Sequence, residues 1–186
     1  VRASGGSKVI RVLNADGRRM EKVIATPQFG LTRCALEVAV DGSAVPASSM
    51  QVLRSASKQV WTGHSDGRIL LWDAASMELR SEVAVEPSAR VPILCMAQVG
   101  GEIWAGSMAG SIWVVKAEGG AAAQELTSAS GQRIRHEGAV RCLLNVGSEL
   151  WSGSDSGEIF VWDAEHASGT LHQSLQRDGG GGQTCC

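Results

Sequence analysis

A 14-residue pattern occurs three times in the sequence, and this repetition constrains the fold more than any other feature of the chain. Residues 60–73 match residues 150–163 without a gap, and the third copy, residues 103–116, lies between them. Periods of 43 and 47 residues separate the first tryptophans of the copies, Trp61, Trp104 and Trp151. A period of this length indicates a repeat architecture in which each copy is one supersecondary unit.

Each copy predicts a unit of four short strands. The middle two are the strand with the first tryptophan and the strand that begins at the following isoleucine, joined by a turn that ends in Gly67, Gly110 or Gly157. Glycine suits these turns because it adopts positive φ at little cost. Short apolar runs predict the flanking strands; they are residues 50–53, 93–97 and 140–144 before the hairpin, and residues 78–83 and 170–175 after it.

The third strand of a unit is apolar on both faces, since Ile69 and Leu71 point one way while Leu70 and Trp72 point the other. Such a strand must be covered on both faces, so the units are expected to stack as sheets in an all-β fold. The predicted organisation is the end of a preceding unit (1–25), an irregular insertion (26–49) that includes an extra strand at 34–40, three units (50–86, 87–130 and 131–176) and a flexible tail (177–186).

Composition argues against several classes of protein. Seventeen basic and nineteen acidic residues give a net charge of -2, without the positive excess that binding to a phosphate backbone needs, so no nucleic-acid partner is expected. The longest apolar run, residues 91–99, is too short to span a membrane. Five cysteines without C-x-x-C pairs predict neither a disulfide framework nor a zinc site, which favours a cytoplasmic protein.

The repeats resemble the WD40-repeat β-propellers. Trp72-Asp73 and Trp162-Asp163 end the third strand as in that family, Asp66-Gly67 occupies the preceding turn, and His136 lies where the family has a histidine before the first strand. The resemblance implies a partial β-propeller of four-stranded blades, with three blades and part of a fourth. Closing a propeller takes about four to eight blades, so the remaining blades are expected from a longer parent chain or a second subunit.

The resemblance also implies a hydrogen-bonded network within each blade. In the family it joins a histidine before the first strand, a serine or threonine on the second, an aspartate in the turn and the tryptophan of the third. Here Pro46 replaces the histidine in the first unit, and Ser156 replaces the aspartate in the third. The middle unit has Ala89, Ala109 and Val115 at the three positions, so we expect packing alone to hold it. The residues expected to have structural roles are Asp66, Trp72, Asp73, His136, Ser152, Trp162 and Asp163.

No catalytic residue, metal site or cofactor is expected. His64 and Asp66 share one turn, but the turn explains the aspartate and surface exposure explains the histidine. Cys95 and Cys142 occupy equivalent positions of two repeats, which indicates packing positions rather than a nucleophile.

By analogy with the WD40 family, the expected function is a non-catalytic scaffold that binds other proteins or peptides. The alternative is an accessory propeller of a larger signalling enzyme, such as an inositol-phosphate phosphatase or an exchange factor. The residues expected to contact a partner lie in the turns and in the loops before the first strands: His64, Ser65, Asp66, Arg68, Arg90, Met108, Ser111, Arg135, Asp155, Ser156 and Glu158.

Overall fold

The chain folds into antiparallel sheets, as the repeats predict. The structure is a computed structural model that describes residues 9–13, 20–25, 32–38, 59–85, 90–117, 122–127, 131–164 and 171–176. These residues form strands and turns and no helix, so none of them belongs to a helix that could cross a membrane. The predicted tail, residues 177–186, lies outside the described ranges.

Three four-stranded sheets and one hairpin make up the described structure. Sheet I consists of β3 (Thr32–Val38), β4 (Gln59–His64), β5 (Arg68–Asp73) and β6 (Leu79–Ala84). Sheet II consists of β7 (Ile93–Val99), β8 (Glu102–Ser107), β9 (Ile112–Lys116) and the two-residue β10 (Gln124–Glu125). Sheet III consists of β11 (Val140–Val146), β12 (Glu149–Ser154), β13 (Glu158–Asp163) and β14 (Leu171–Gln176). The hairpin pairs β1 (Val9–Leu13) with β2 (Met20–Ala25).

The first strand of sheet I lies elsewhere than the sequence predicts. β4 pairs with β3 on one edge and with β5 on the other, so β3 takes the place of the first strand that the sequence predicts at residues 50–53, which lie outside the described ranges. β3 falls in the segment predicted as an insertion, and Cys34 faces Gly63 in the same register in which Cys95 faces Gly106. The connection from β3 to β4 is 20 residues long, whereas two residues join β7 to β8, and this difference hides the equivalence from a search for a fixed period.

Equivalent cysteines differ in their chemistry. Cys95 on β7 is a thiol whose sulfur donates to the carbonyl oxygen of Val140, 3.5 Å away on sheet III. Cys142 occupies the same register position on β11, opposite Gly153, and is disulfide-bonded. The disulfide at Cys142 therefore contradicts the expectation, drawn from the cysteine spacing, that the chain forms no disulfides.

The sheets pack face to face in the order I, II, III. Trp61, Ile69 and Leu71 of sheet I pack against Ile103, Trp113 and Val115 of sheet II. The other face of sheet II presents Trp104, Ile112 and Val114 to Leu150, Phe160 and Trp162 of sheet III. Sheet II is thus buried on both faces, as its apolar third strand predicts, and each large side chain that it buries contributes about 1.5–3 kcal/mol to folding.

Turn glycines let neighbouring sheets approach each other closely. Gly110 has φ of +82°, and its carbonyl oxygen accepts a 3.0 Å hydrogen bond from the backbone N–H of His136, at the entry to sheet III. A Cβ atom on Gly110 would collide with the His136 carbonyl oxygen. The sequence prediction of positive φ at this turn is confirmed, and the close approach adds a second reason for glycine there.

Replacing Gly110 by alanine should therefore lower the free energy of unfolding more than replacing a glycine that has positive φ but no close neighbour. Gly147, with φ of +63° and no heavy atom near its missing side chain, is the matched control. We expect Gly147→Ala to lower the free energy of unfolding by about 1–2 kcal/mol, and Gly110→Ala to lower it by about 1–3 kcal/mol more because backbone must move. Urea denaturation measures both, and equal losses would contradict the close contact between sheets II and III.

Candidate functional site

A chain of buried polar groups crosses sheet III beneath its turns. The indole Nε1 of Trp162 donates to the Ser152 hydroxyl at 2.8 Å, and that oxygen lies 2.8 Å from Nε2 of His136. The other ring nitrogen of His136, Nδ1, faces the Glu158 carboxylate at 3.4 Å. Because the indole can only donate, the Ser152 proton is available to Nε2 of His136, and the histidine's own proton then lies on Nδ1, towards Glu158.

Glu158 lies beside this network and faces Nδ1 of His136 without a hydrogen bond to it. Its carboxylate accepts hydrogen bonds of 2.8 Å from the Ser156 hydroxyl and from the backbone N–H of Glu137. Burial raises the pKa of Glu158, but these hydrogen bonds and the nearby His136 outweigh burial, so the net direction is below its ordinary value. Glu158, predicted as a partner contact, therefore has a structural role that its sequence position did not indicate.

His136 is held as a neutral ring. Phe160 stacks on it with ring centres 3.9 Å apart and planes inclined by 16°. Burial lowers the pKa of the His136 imidazole below its ordinary value, and the Glu158 carboxylate acts in the opposite direction. The structural roles expected for His136, Ser152 and Trp162 agree with this geometry.

Sheet I builds the same kind of network from a different histidine. Trp72 donates through Nε1 to the Thr62 hydroxyl at 2.9 Å, and Nε2 of His64 lies 2.9 Å from that oxygen. His64 is completely buried, so the expectation of a surface histidine is wrong. Because β3 is the first strand of the sheet, Pro46 is not the equivalent of His136, and the imidazole comes instead from the end of β4.

Sheet II contains a shorter polar network, which corrects the expectation that packing alone holds it. Trp113 donates through Nε1 to the Ser111 hydroxyl at 2.9 Å, and that hydroxyl lies 2.7 Å from the hydroxyl of Ser107. Ser111 is fully buried, so it cannot contact a partner as predicted. A residue-by-residue comparison of β9 with β5 did not predict this network. The tryptophan of β9, Trp113, lies at the position of Leu70 and not at that of Trp72.

Several of the predicted partner contacts at the turns are charged residues that are already paired. Arg68 lies 2.8 Å from Glu82 and 3.6 Å from Asp66. Similar contacts occur around sheet III, where a two-point ion pair joins Arg141 to Asp155, Arg135 lies 2.6 Å from Glu125, and Ser156 bonds to Ser154 at 2.6 Å. Ser65 lies half-buried in the turn before Gly67. These contacts stabilise the turns, and each exposed pair contributes about 0–1 kcal/mol.

Asp73 and Asp163 end the third strands of sheets I and III. Asp73 accepts 2.9 Å hydrogen bonds from the backbone N–H groups of Ala75 and Ser76, and Arg80 donates to its other oxygen at 2.6 Å. The Ser76 N–H and the Arg80 guanidinium lower the pKa of Asp73 to about 2. Asp73 thus fixes the turn that leads to β6, whereas Asp163 is a half-buried residue opposite Glu149.

Met108 and Arg90 are the exposed members of the predicted set. Met108, at the tip of the β8–β9 turn, is 56% exposed, and its backbone N–H donates to the carbonyl of Pro92 at 2.8 Å. Arg90 precedes Pro92 by two residues, is exposed, and has φ of +48°, in the left-handed region that few side chains adopt. We call the turn with Met108 and the loop with Arg90 the Met108 edge. No cluster of metal-ligating side chains occurs within the described residues.

Removing the central hydroxyl of the sheet III network should destabilise the protein. Ser152→Ala leaves the buried Trp162 indole and the His136 imidazole without their shared partner, and we expect a loss of about 2–4 kcal/mol in the free energy of unfolding. Ser174→Ala removes an exposed hydroxyl of the same sheet and should change it by about 0.5 kcal/mol or less. Denaturant titration of the two variants checks the prediction; similar small losses would show that the network is not formed.

Acid should destabilise the protein through His136. The folded-state pKa lies below the unfolded value, so the unfolded state binds more protons as pH falls below about 6.5, and stability decreases by up to about 1.4 kcal/mol per pH unit. The loss ends once pH passes below the folded-state pKa. The measurement compares the free energy of unfolding between pH 7 and pH 5 for the wild type and His136→Gln. The variant should show a smaller pH dependence, and parallel curves would exclude this role.

Comparisons with known proteins do not add a family to this description. No protein-family model matches the chain. A search of the curated proteins gives no significant match either. The observations that bear on function are therefore the geometry of the Met108 edge, the networks of the sheets and the resemblance carried by the repeats.

Proposed function

We propose that the chain is a non-catalytic scaffold of the WD40-propeller type that binds other proteins or peptides at the Met108 edge. The support is a repeat of stacked four-stranded sheets, two of which bury a network of tryptophan, hydroxyl and histidine beneath their turns. In this interpretation each sheet is a blade, and the remaining blades come from a longer parent chain or from a second subunit.

The observation that carries the proposal is the exposure of Met108. Its neighbours in the turn are fixed by backbone hydrogen bonds, so the side chain is displayed on a rigid support. Methionine is flexible and polarisable, which suits it to contacts with varied apolar partners. Covering it gains about 25 cal/mol for each Å² of apolar surface removed from water. A partner with an apolar side chain at this position is therefore favoured.

Arg90 adds charge selectivity beside Met108. It is exposed and makes no ion pair with a described residue, while Arg68 and Arg135 nearby are engaged with carboxylates. Its backbone is left-handed, and the backbone of Arg90 and Val91 lies directly beside Gly67. Backbone strain of this kind is common at binding sites. The edge therefore fits a peptide that combines an apolar side chain with a carboxylate.

Peptide display against the folded chain tests the proposal. Selected peptides should contain an apolar residue near an acidic residue, and Met108→Glu should raise their Kd by about tenfold or more because it replaces an apolar contact with a repelling charge. Leu79→Glu is the matched control, since Leu79 is 40% exposed on β6, away from this edge, and should leave Kd unchanged. Equal effects of the two variants, or peptides that bind Met108→Glu normally, would exclude the Met108 edge.

A further inference from the structure

The first strand of each four-stranded sheet contains a β-bulge at the same place. The pairing of β3 with β4 passes over Arg33, the pairing of β7 with β8 passes over Leu94, and the pairing of β11 with β12 passes over Arg141. A bulge adds one residue to a strand, bends the strand and re-aims a side chain. These three residues therefore occupy equivalent positions of the repeat.

The turn next to the bulge is held in the same way in sheets II and III. The backbone N–H of Met108 donates to the carbonyl oxygen of Pro92 at 2.8 Å, and that of Asp155 donates to the carbonyl oxygen of Ala139 at 3.0 Å. Met108 and Asp155 are each the first residue after the second strand of their sheet. Positions 94 and 108 of sheet II are therefore equivalent to positions 141 and 155 of sheet III.

Sheet III shows that side chains at these two positions meet. Arg141 donates to both carboxylate oxygens of Asp155, at 2.6 and 2.5 Å, and both side chains are partly exposed. Arginine is long and aspartate short, whereas leucine is short and methionine long, so the two pairs span a similar distance. The shared backbone geometry therefore brings Leu94 to Met108.

Sheet II thus has two apolar side chains where sheet III has an ion pair. Leu94 is partly exposed and, among the described residues, packs into neither of the cores on the two faces of sheet II. Met108 is 56% exposed. Sheet I has polar residue types, Arg33 and Ser65, at the same positions. In all three sheets the turn closes with the same backbone hydrogen bond from its glycine, so the turn does not require the apolar pair.

We propose that Leu94 is a specificity-determining residue of the Met108 edge, where Leu94 and Met108 together hold one large apolar side chain of the bound peptide. This inference rests on the proposed function and names the side chain that the edge selects. A branched or aromatic side chain covers both residues and removes more apolar surface from water than alanine does. Arg90, four residues before Leu94, accounts for the neighbouring carboxylate of the peptide.

Methyl NMR of the full 186-residue chain tests the placement without a ligand. In protein with ¹³C-labelled leucine and methionine methyl groups, a nuclear Overhauser effect between Leu94 and Met108 is expected. The Leu94→Ala and Met108→Glu variants assign the two signals. Absence of this effect would overturn the inference, whatever the binding measurements give.

A mutant cycle between protein and peptide tests the specificity. A peptide selected by display on the wild type is compared with the same peptide carrying alanine in place of its large apolar residue. Leu94→Ala should raise the Kd of the selected peptide about fivefold or more, and that of the alanine peptide by less than about twofold, because the alanine peptide lacks the contact. Leu94→Met keeps an apolar side chain and should keep most of the affinity. Leu79→Ala, at an exposed leucine of sheet I, should leave both Kd values unchanged.

The double variant Leu94→Arg with Met108→Asp recreates the ion pair of sheet III in sheet II. It should fold, as circular dichroism checks, and should not bind the selected peptide. A double variant that does not fold would contradict the equivalence of the two pairs.

The binding results separate this inference from the proposed function. If Met108→Glu weakens binding and Leu94→Ala does not, or if Leu94→Ala affects both peptides equally, the role of Leu94 is overturned and the Met108 edge stands. If neither variant changes the Kd of the selected peptide, the proposed function and this inference both fail.

Discussion

The burial of both faces of the third strand is the constraint on which the structure depends. In β9, Ile112 and Val114 face sheet III while Trp113 and Val115 face sheet I, so neither face tolerates water. A sheet with such a strand cannot be stable alone, because one exposed face would cost the burial energy of several large side chains. The stacking of the sheets and the close turns at Gly110 follow from this requirement.

Tryptophan side chains create a second requirement inside the stack, since a buried indole N–H needs an acceptor. Three of the six tryptophans use a hydroxyl as that acceptor. Trp72 uses Thr62 and the imidazole of His64, Trp162 uses Ser152 with His136 and Glu158, and Trp113 uses a pair of serines. A hydroxyl next to the indole is common to all three, because it accepts from the indole and still has a proton to donate. The partner beyond the hydroxyl is free to vary.

The sequence predicts the repeated sheets but not every residue in them. Spacing and two-sided apolarity predict the β4–β5, β8–β9 and β12–β13 hairpins, because each is encoded within 15 residues or so of chain. The position of β3 is not predictable from the period, because a 20-residue connection separates it from β4. The roles of His64 and Glu158 depend on which groups meet across strands. One signal was present: His64 lies two residues after Thr62 and so shares its face in a strand.

Packing and polar networks contribute to stability in different proportions in each sheet. Sheet II is covered on both faces and has the shortest network, and Trp104 Nε1 finds no hydrogen-bond acceptor among the described residues. An unsatisfied indole costs about 1–3 kcal/mol, which the apolar contacts on its two faces exceed several times over. Sheet III has the longest network, from Trp162 to Glu158, and leaves Leu144, Val146 and Leu175 exposed. Directional polar contacts are therefore most extensive where apolar burial is least complete.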